Sequence, residues 1–111
     1  MSEHIPESDW RKFKELHQVL SERFCQQVLV ELAGVIDASK GSAHERYTKA
    51  YHLLKRRGKE LAVAFDDFRR STAVMQLGIM RSMRLLRDDE LQRFTPETQK
   101  HVQTIASIRE A

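Results

Sequence analysis

Apolar residues recur three or four positions apart from Trp10 onward: Trp10, Phe13, Leu16, Leu20, Phe24, Val28, Leu32 and Val35. That spacing lines one face of a helix, whereas a strand would alternate every second residue. Val19, Cys25, Leu29 and Ile36 add a second, shorter apolar line. The pattern predicts a helix of about 45 Å. It would start from an N-cap at Ser8, with Asp9 in the first turn at the positive end of the dipole, and run to about Ala38. Gly34 would loosen its last turn. Residues 1–7 read as a flexible N-terminal arm ahead of a single helical domain, 8–111.

Asp37-Ala38-Ser39-Lys40-Gly41 interrupts the repeat. Ser42-Ala43-His44-Glu45 then has the form of a capping box, in which the serine hydroxyl accepts from the third backbone N–H. A second helix follows with Tyr47, Ala50, Tyr51, Leu54, Leu61 and Phe65 on its inner side. Gly58 stands where that stripe is due an apolar residue and reads as a point of close helix approach. Asp66-Asp67 stops this helix and caps a third, which carries Phe68, Val74, Met75, Leu77, Ile79, Met80, Met83, Leu85 and Leu86 over an arc wide enough to make it the most buried element. Arg87-Asp88-Asp89-Glu90 closes it and opens a short turn holding Leu91 and Phe94. Thr95-Pro96-Glu97 starts the last helix, with Val102, Ile105 and Ile108, because a proline at the first helical position loses no hydrogen bond.

No segment alternates as a strand, and four Gly and two Pro are too few for a turn-rich β-fold. The expected class is all-α: an irregular bundle of three main helices plus a short C-terminal helical pair. Composition agrees, since 41% hydrophobic and 32% charged residues suit a folded, well-solvated domain. Cys25 is the lone cysteine, which excludes an intrachain disulfide and points to a reducing compartment. Met1–Trp10 has three acidic residues and no apolar run, so it is no signal peptide. No stretch approaches the roughly 18 apolar residues of a membrane span. The expected location is therefore cytoplasmic, with no membrane partner.

Charge changes the picture more than its +3 total suggests. Residues 44–87 hold eleven Lys/Arg against four Asp/Glu, while both flanks are mildly acidic. Lys55, Arg56, Arg57 and Lys59 cluster on the second helix with Arg46 and Lys49 upstream, and Arg81, Arg84 and Arg87 step by three on the third. Phosphate contact needs only aligned cations, so Lys55, Arg56, Arg57, Lys59, Arg81 and Arg84 are the candidate anion or nucleic-acid residues. No helix-turn-helix accompanies them, because the 37–42 connector is long for its tight turn. Tyr47 and Tyr51 could stack on bases, but their helical spacing also suits a core.

Catalytic chemistry finds little support. His44 and His52, like His17 and Cys25, lie eight residues apart, about 12 Å along a helix, too far to share one metal ion. His4 and His101 have no ligand-spaced partner, and neither His-Glu-x-x-His nor Cys-x-x-Cys is present. Cys25, in mid-helix, lacks the cationic or helix-terminal setting of a reactive thiol and reads as a small buried hydrophobe. The carboxylate pairs at 66–67 and 88–90 are explained by capping. Lys40-Gly41-Ser42 has no phosphate-loop context. The reading is a non-enzyme without cofactor, metal or small-molecule substrate.

The two apolar lines either both serve the intramolecular core or exceed what three helices need for it. The expected function is a helical protein–protein interaction module, homodimeric or bound to another protein, with Trp10, Phe13, Phe24, Met75, Met80 and Met83 as candidate anchors. The alternative is a small basic nucleic-acid-binding regulator using the 44–87 segment.

Ser8-Asp9-Trp10-Arg11, Glu22-Arg23-Phe24-Cys25, Ala64-Phe65-Asp66-Asp67, Arg69-Arg70-Ser71 and Phe94-Thr95-Pro96-Glu97-Thr98 together resemble a group of small bacterial all-helical proteins with no assigned role. The resemblance covers most of the chain. It implies a bacterial cytoplasmic protein and carries over no functional residue.

Overall fold

A computed structural model describes residues 5–37 and 40–110. The expected arm residues 1–4 and the linker residues Ala38 and Ser39 lie outside them. Five helices follow one another: α1 (Glu7–Ile36), α2 (Ala43–Phe65), α3 (Ala73–Ser82), α4 (Asp88–Leu91) and α5 (Pro96–Glu110). The described residues contain no strand, and the fold is all-α.

The first helix starts two residues earlier than the sequence suggests. Pro6, held in extended geometry, is the N-cap, and its carbonyl accepts from the N–H groups of Asp9 and Trp10 at 3.0 Å. Ser8 is thus inside the first turn. Ile5, in the segment expected to be an arm, is buried, and its carbonyl accepts from Arg70 Nε at 2.8 Å. Arg70 also pairs with Glu7 at 2.9 Å, so the start of α1 is tied to the α2–α3 connection.

Phe13, Leu16, Leu20 and Phe24 on α1 bury against Leu77, Ile79 and Met80 of α3 and Val102 of α5 in one hydrophobic core. The α3–α5 crossing depends on Gly78. A Cβ at that position would sit 2.3 Å from Ile105 Cγ2 and 2.6 Å from Ile105 Cβ, distances that only the missing side chain allows. Helix α3 is covered on most of its circumference, but it is shorter than its apolar run. Asp66 and Asp67 do not cap it. Asp66 closes α2, and Asp67 turns into left-handed geometry with φ 55°, its carboxylate held by Arg69 at 2.6 and 2.7 Å. A 3-10 turn, Arg70–Thr72, then leads into α3. Gln76, buried inside α3, donates to the Asp66 and Asp67 carbonyls and locks this connection.

The other end of α3 closes in a Schellman motif. Arg84 takes φ 59°, its N–H bonds Arg81 O at 3.0 Å, and the Leu85 N–H reaches Met80 O at 2.9 Å. Met83, Leu85 and Leu86 therefore belong to the turn. Across it, Arg23 of α1 grips Glu90 in two parallel bonds of 2.7 and 2.9 Å and donates to Leu85 O at 2.7 Å. That guanidinium, helped by the Arg87 N–H, holds the Glu90 carboxyl below the usual glutamate range despite its burial.

Asp9, expected at the exposed end of a helix dipole, is instead fully buried. It accepts from Thr95 N–H at 3.0 Å and from the Thr95 and Thr98 hydroxyls at 2.6 Å each. The carboxylate thus joins the first turn of α1 to the first turn of α5.

Candidate functional site

The molecule measures 56 × 26 × 23 Å. Its length comes from α1 and α2, two antiparallel helices of 30 and 23 residues, against which α3 and α5, with 10 and 15 residues, cover only part. Their far halves form a two-helix hairpin. Its turn uses Gly41 at φ 93° and the Ser42 cap, whose hydroxyl accepts from Glu45 N–H at 3.1 Å. Arg46 donates to Ile36 O at 3.0 Å, satisfying a carbonyl in the last turn of α1.

The hairpin has two unlike sides. On one, Cys25, Leu29 and Ile36 of α1 run beside Tyr47, Tyr51, Leu54, Gly58 and Leu61 of α2. Leu29 is 56% exposed, Ile36 50%, Tyr47 73% and Leu54 48%. A groove of about 260 Å³ opens here, lined by Phe24, Cys25, Val28, Leu29, Leu54, Arg57, Gly58 and Leu61. Gly58 forms part of its floor, and a Cβ added there would meet nothing within 4 Å. The close helix approach expected at Gly58 is therefore not made within the chain. Cys25 is half-buried at the groove edge instead of sealed in the core.

The opposite side is basic. Lys40, Arg46, Lys49, His52 and Arg56 line a groove of about 650 Å³ with Glu31, Gly34, Val35 and Leu53. Between the two sides Arg57 lies half-buried, pairing with Glu31 at 3.3 Å and with Glu60, its guanidinium 4.7 Å from the Phe24 ring centre.

The expected anchors separate. Phe13, Phe24 and Met80 are core residues, closed to a partner in this structure because α3 and α5 already cover that stripe of α1. Trp10 is half-buried, packed on Phe68 at 5.0 Å and Phe13 at 6.1 Å. Met83 packs partly buried against the core, and Met75 is 53% exposed, so the three methionines make no common patch. Tyr47 and Tyr51 reverse their expected placement: both face out.

The expected basic residues separate too. Lys55, Arg56 and Lys59 are exposed, whereas Arg57 is engaged as described. Arg81 donates to Leu86 O at 2.7 Å, to Gln103 at 3.2 Å and to Asp88. It lines a different groove with Arg84 and Arg87, where Asp88 and Glu110 supply opposing charge. Sequence reading missed His52 as a member of the basic side, although it lies four residues before Arg56 and seven before Lys59 on the same helix.

His17 is a packing residue, stacked on Phe68 at 3.8 Å with its Nε2 3.4 Å from Phe65 O. His44, His52 and His101 are exposed, and His4 lies outside the described residues. Among the described residues no three His, Cys, Asp or Glu side chains converge as a metal site, and no helix is long and apolar enough to cross a membrane. Comparison with protein-family models, curated proteins and solved structures finds no match.

Proposed function

We propose that this protein is a non-catalytic helical interaction module that pairs with a second copy of itself through the apolar side of the α1–α2 hairpin. The observation that carries the reading is the continuous exposed strip of Leu29, Ile36, Tyr47, Tyr51 and Leu54 around the open floor at Gly58. A glycine inside a helix costs about 1 kcal/mol relative to alanine. Among the described residues nothing uses the space it leaves, and a helix from another molecule would.

A two-fold interface needs a self-complementary patch. This strip supplies both halves on one helix: a recess at Gly58 and projecting rings at Tyr47 and Tyr51. Two hairpins laid antiparallel bring the rings of each toward the recess of the other. Residues 47–61 span about 21 Å, and two helices side by side are about 20 Å wide. Two copies would then cover roughly 800 Å² in projection, and more with side-chain relief, below the ~1,200 Å² of standard interfaces and in the range of weak, transient pairs. The proposed dimer is a weak one, with a dissociation constant on the order of 1 μM.

Sedimentation equilibrium tests this. The parent chain should associate with concentration, and Leu29→Glu or Leu54→Glu should be monomeric with unchanged helical circular dichroism. A parent that stays monomeric at about 100 μM, roughly a hundred times the dissociation constant expected here, refutes the reading.

A further inference from the structure

The opposite side of the same hairpin carries a second site, and its argument does not depend on dimerisation. Lys49, His52, Arg56 and Lys59 follow one another on α2 in steps of three, four and three, which keeps them on one line along the helix. The line is about 15 Å long. Lys49, Arg56 and Lys59 are exposed, as is Lys55 beside them, and Lys40 stands at the hairpin-turn end of the adjoining groove.

Ion pairing divides the arginines and lysines of this protein into two classes. Arg23, Arg57, Arg69, Arg70, Arg81 and Arg93 each have a carboxylate within 4.0 Å. Among the described residues, the ion pairs of α2 all belong to Arg57. That residue engages both Glu31 and Glu60, the carboxylates flanking the line, whose side chains stay 44% and 37% exposed. Among the described residues Lys49, Arg56 and Lys59 have no carboxylate within 4.0 Å; Glu31 in the groove and Glu45, one turn before Lys49, are opposing charges in the line's surroundings, and the balance of the face stays positive.

We infer that this line is a binding site for the phosphodiester backbone of a DNA duplex, read without base sequence. A row of exposed cations suits a regular array of anions, and Lys49, Lys55, Arg56 and Lys59 supply four charges, each able to meet a phosphate of either strand, so about four phosphates are engaged. Backbone contact requires no groove-reading side chains. The site differs from the one the charge distribution alone suggests. Arg57 and Arg81 are consumed internally, Arg84 lies on another groove whose lining includes two carboxylates, and Lys49, at the upstream end of the cluster, joins the line.

The test is fluorescence anisotropy of a labelled duplex of about 20 base pairs, titrated with the full chain at several salt concentrations. Engagement of four phosphates predicts a slope of log affinity against log salt of about −3 to −4. Lys49→Glu/Arg56→Glu/Lys59→Glu should weaken binding at least ~10-fold and flatten the slope to about −1 or less, since the removed cations carry most of the released counterions. Lys49→Gln/Arg56→Gln/Lys59→Gln, which adds no repulsion, should flatten it to a similar slope. Circular dichroism of both variants confirms that the helices persist. Arg81→Gln/Arg84→Gln should leave the slope as it was. Leu54→Glu, which removes the proposed dimer contact, should retain salt-dependent binding, so failure of one site does not imply failure of the other. Absence of duplex binding at low salt, a slope unchanged in folded α2 variants, or loss of binding in the Arg81/Arg84 variant overturns the inference. So does binding to phosphatidylserine vesicles or an acidic peptide with none to the duplex.

Discussion

Removing the Asp9 carboxylate should be among the most damaging single changes in this chain. Asp9→Ala takes away the acceptor for three donors at once: the Thr95 N–H and the Thr95 and Thr98 hydroxyls. The two hydroxyls can turn toward each other, since they already lie 3.2 Å apart, and recover part of the loss. The Thr95 N–H has no such alternative at a buried helix start. An orphaned buried donor costs about 1–3 kcal/mol, and bonds to a charged acceptor contribute about 1.5–3 kcal/mol each. Allowing for the hydroxyl rearrangement, the expected destabilisation is about 3 kcal/mol. For a chain of this length that lowers the midpoint of thermal unfolding by roughly 10–20 °C. Asp9→Asn keeps the shape, and its amide oxygen can still accept from Thr95 N–H while its amide nitrogen donates to the hydroxyls. It should cost nearer ~1 kcal/mol. Urea unfolding followed by circular dichroism measures both, at fixed protein concentration so that any dimer contributes equally. If Asp9→Ala lies within about 0.5 kcal/mol of the parent, as ordinary surface changes do, the buried carboxylate is not what joins α1 to α5. If alanine and asparagine cost the same, the charge and not the geometry carries the effect.

Three further outcomes follow from the fold. Gly78→Ala should destabilise by about 1–3 kcal/mol, because overpacking at Ile105 outweighs the helix-propensity gain of alanine, and chemical denaturation should show partial recovery when Ile105→Ala removes the nearest methyl. Arg84→Gly should raise thermal stability by about 1 kcal/mol, because φ 59° strains any L side chain, whereas Arg84→Val should lower it. Glu90 contributes stability above the unfolded glutamate value of 4.5 and loses it as pH falls through its depressed folded value, so Glu90→Gln should flatten the fall in melting temperature in acid.

The helix starts that the sequence announces are those with local chemistry. Ser42 caps α2 and Pro96 opens α5 as read, because each signal acts within one turn. The limits of α3 were not legible. Both depend on non-glycine residues in left-handed geometry, Asp67 and Arg84; aspartate visits that region more readily than most residues, but arginine does not advertise it. Spacing identified the apolar faces of α1 and α2 but could not say which face the rest of the chain would cover. Phe13 and Phe24 proved to be core, and Tyr47 and Tyr51 surface, because short α3 and α5 reach only one stretch of the long helices. The basic side was half-legible. Charge counting found α2, but only the cross-helix pair Arg57–Glu31 shows which cations are spent inside the fold. The role of Asp9 was out of reach, since Thr95 and Thr98 are 86 and 89 residues away.

That separation has a consequence for the order in which the chain folds as it is made. Asp9 emerges well before its partners, which follow 86 and 89 residues later, several seconds at ordinary elongation rates of about 5–20 residues per second. The α1–α2 hairpin closes through contacts much nearer in sequence and can assemble first, while the stripe later covered by α3 and α5 is still open to water. During that interval the nascent hairpin exposes apolar residues on two sides instead of one. A premature encounter with another hairpin could use either side, and only arrival of α5 at Asp9 leaves the Gly58 side as the exposed one. Chains truncated before Thr95 should therefore aggregate where the full chain stays a defined species.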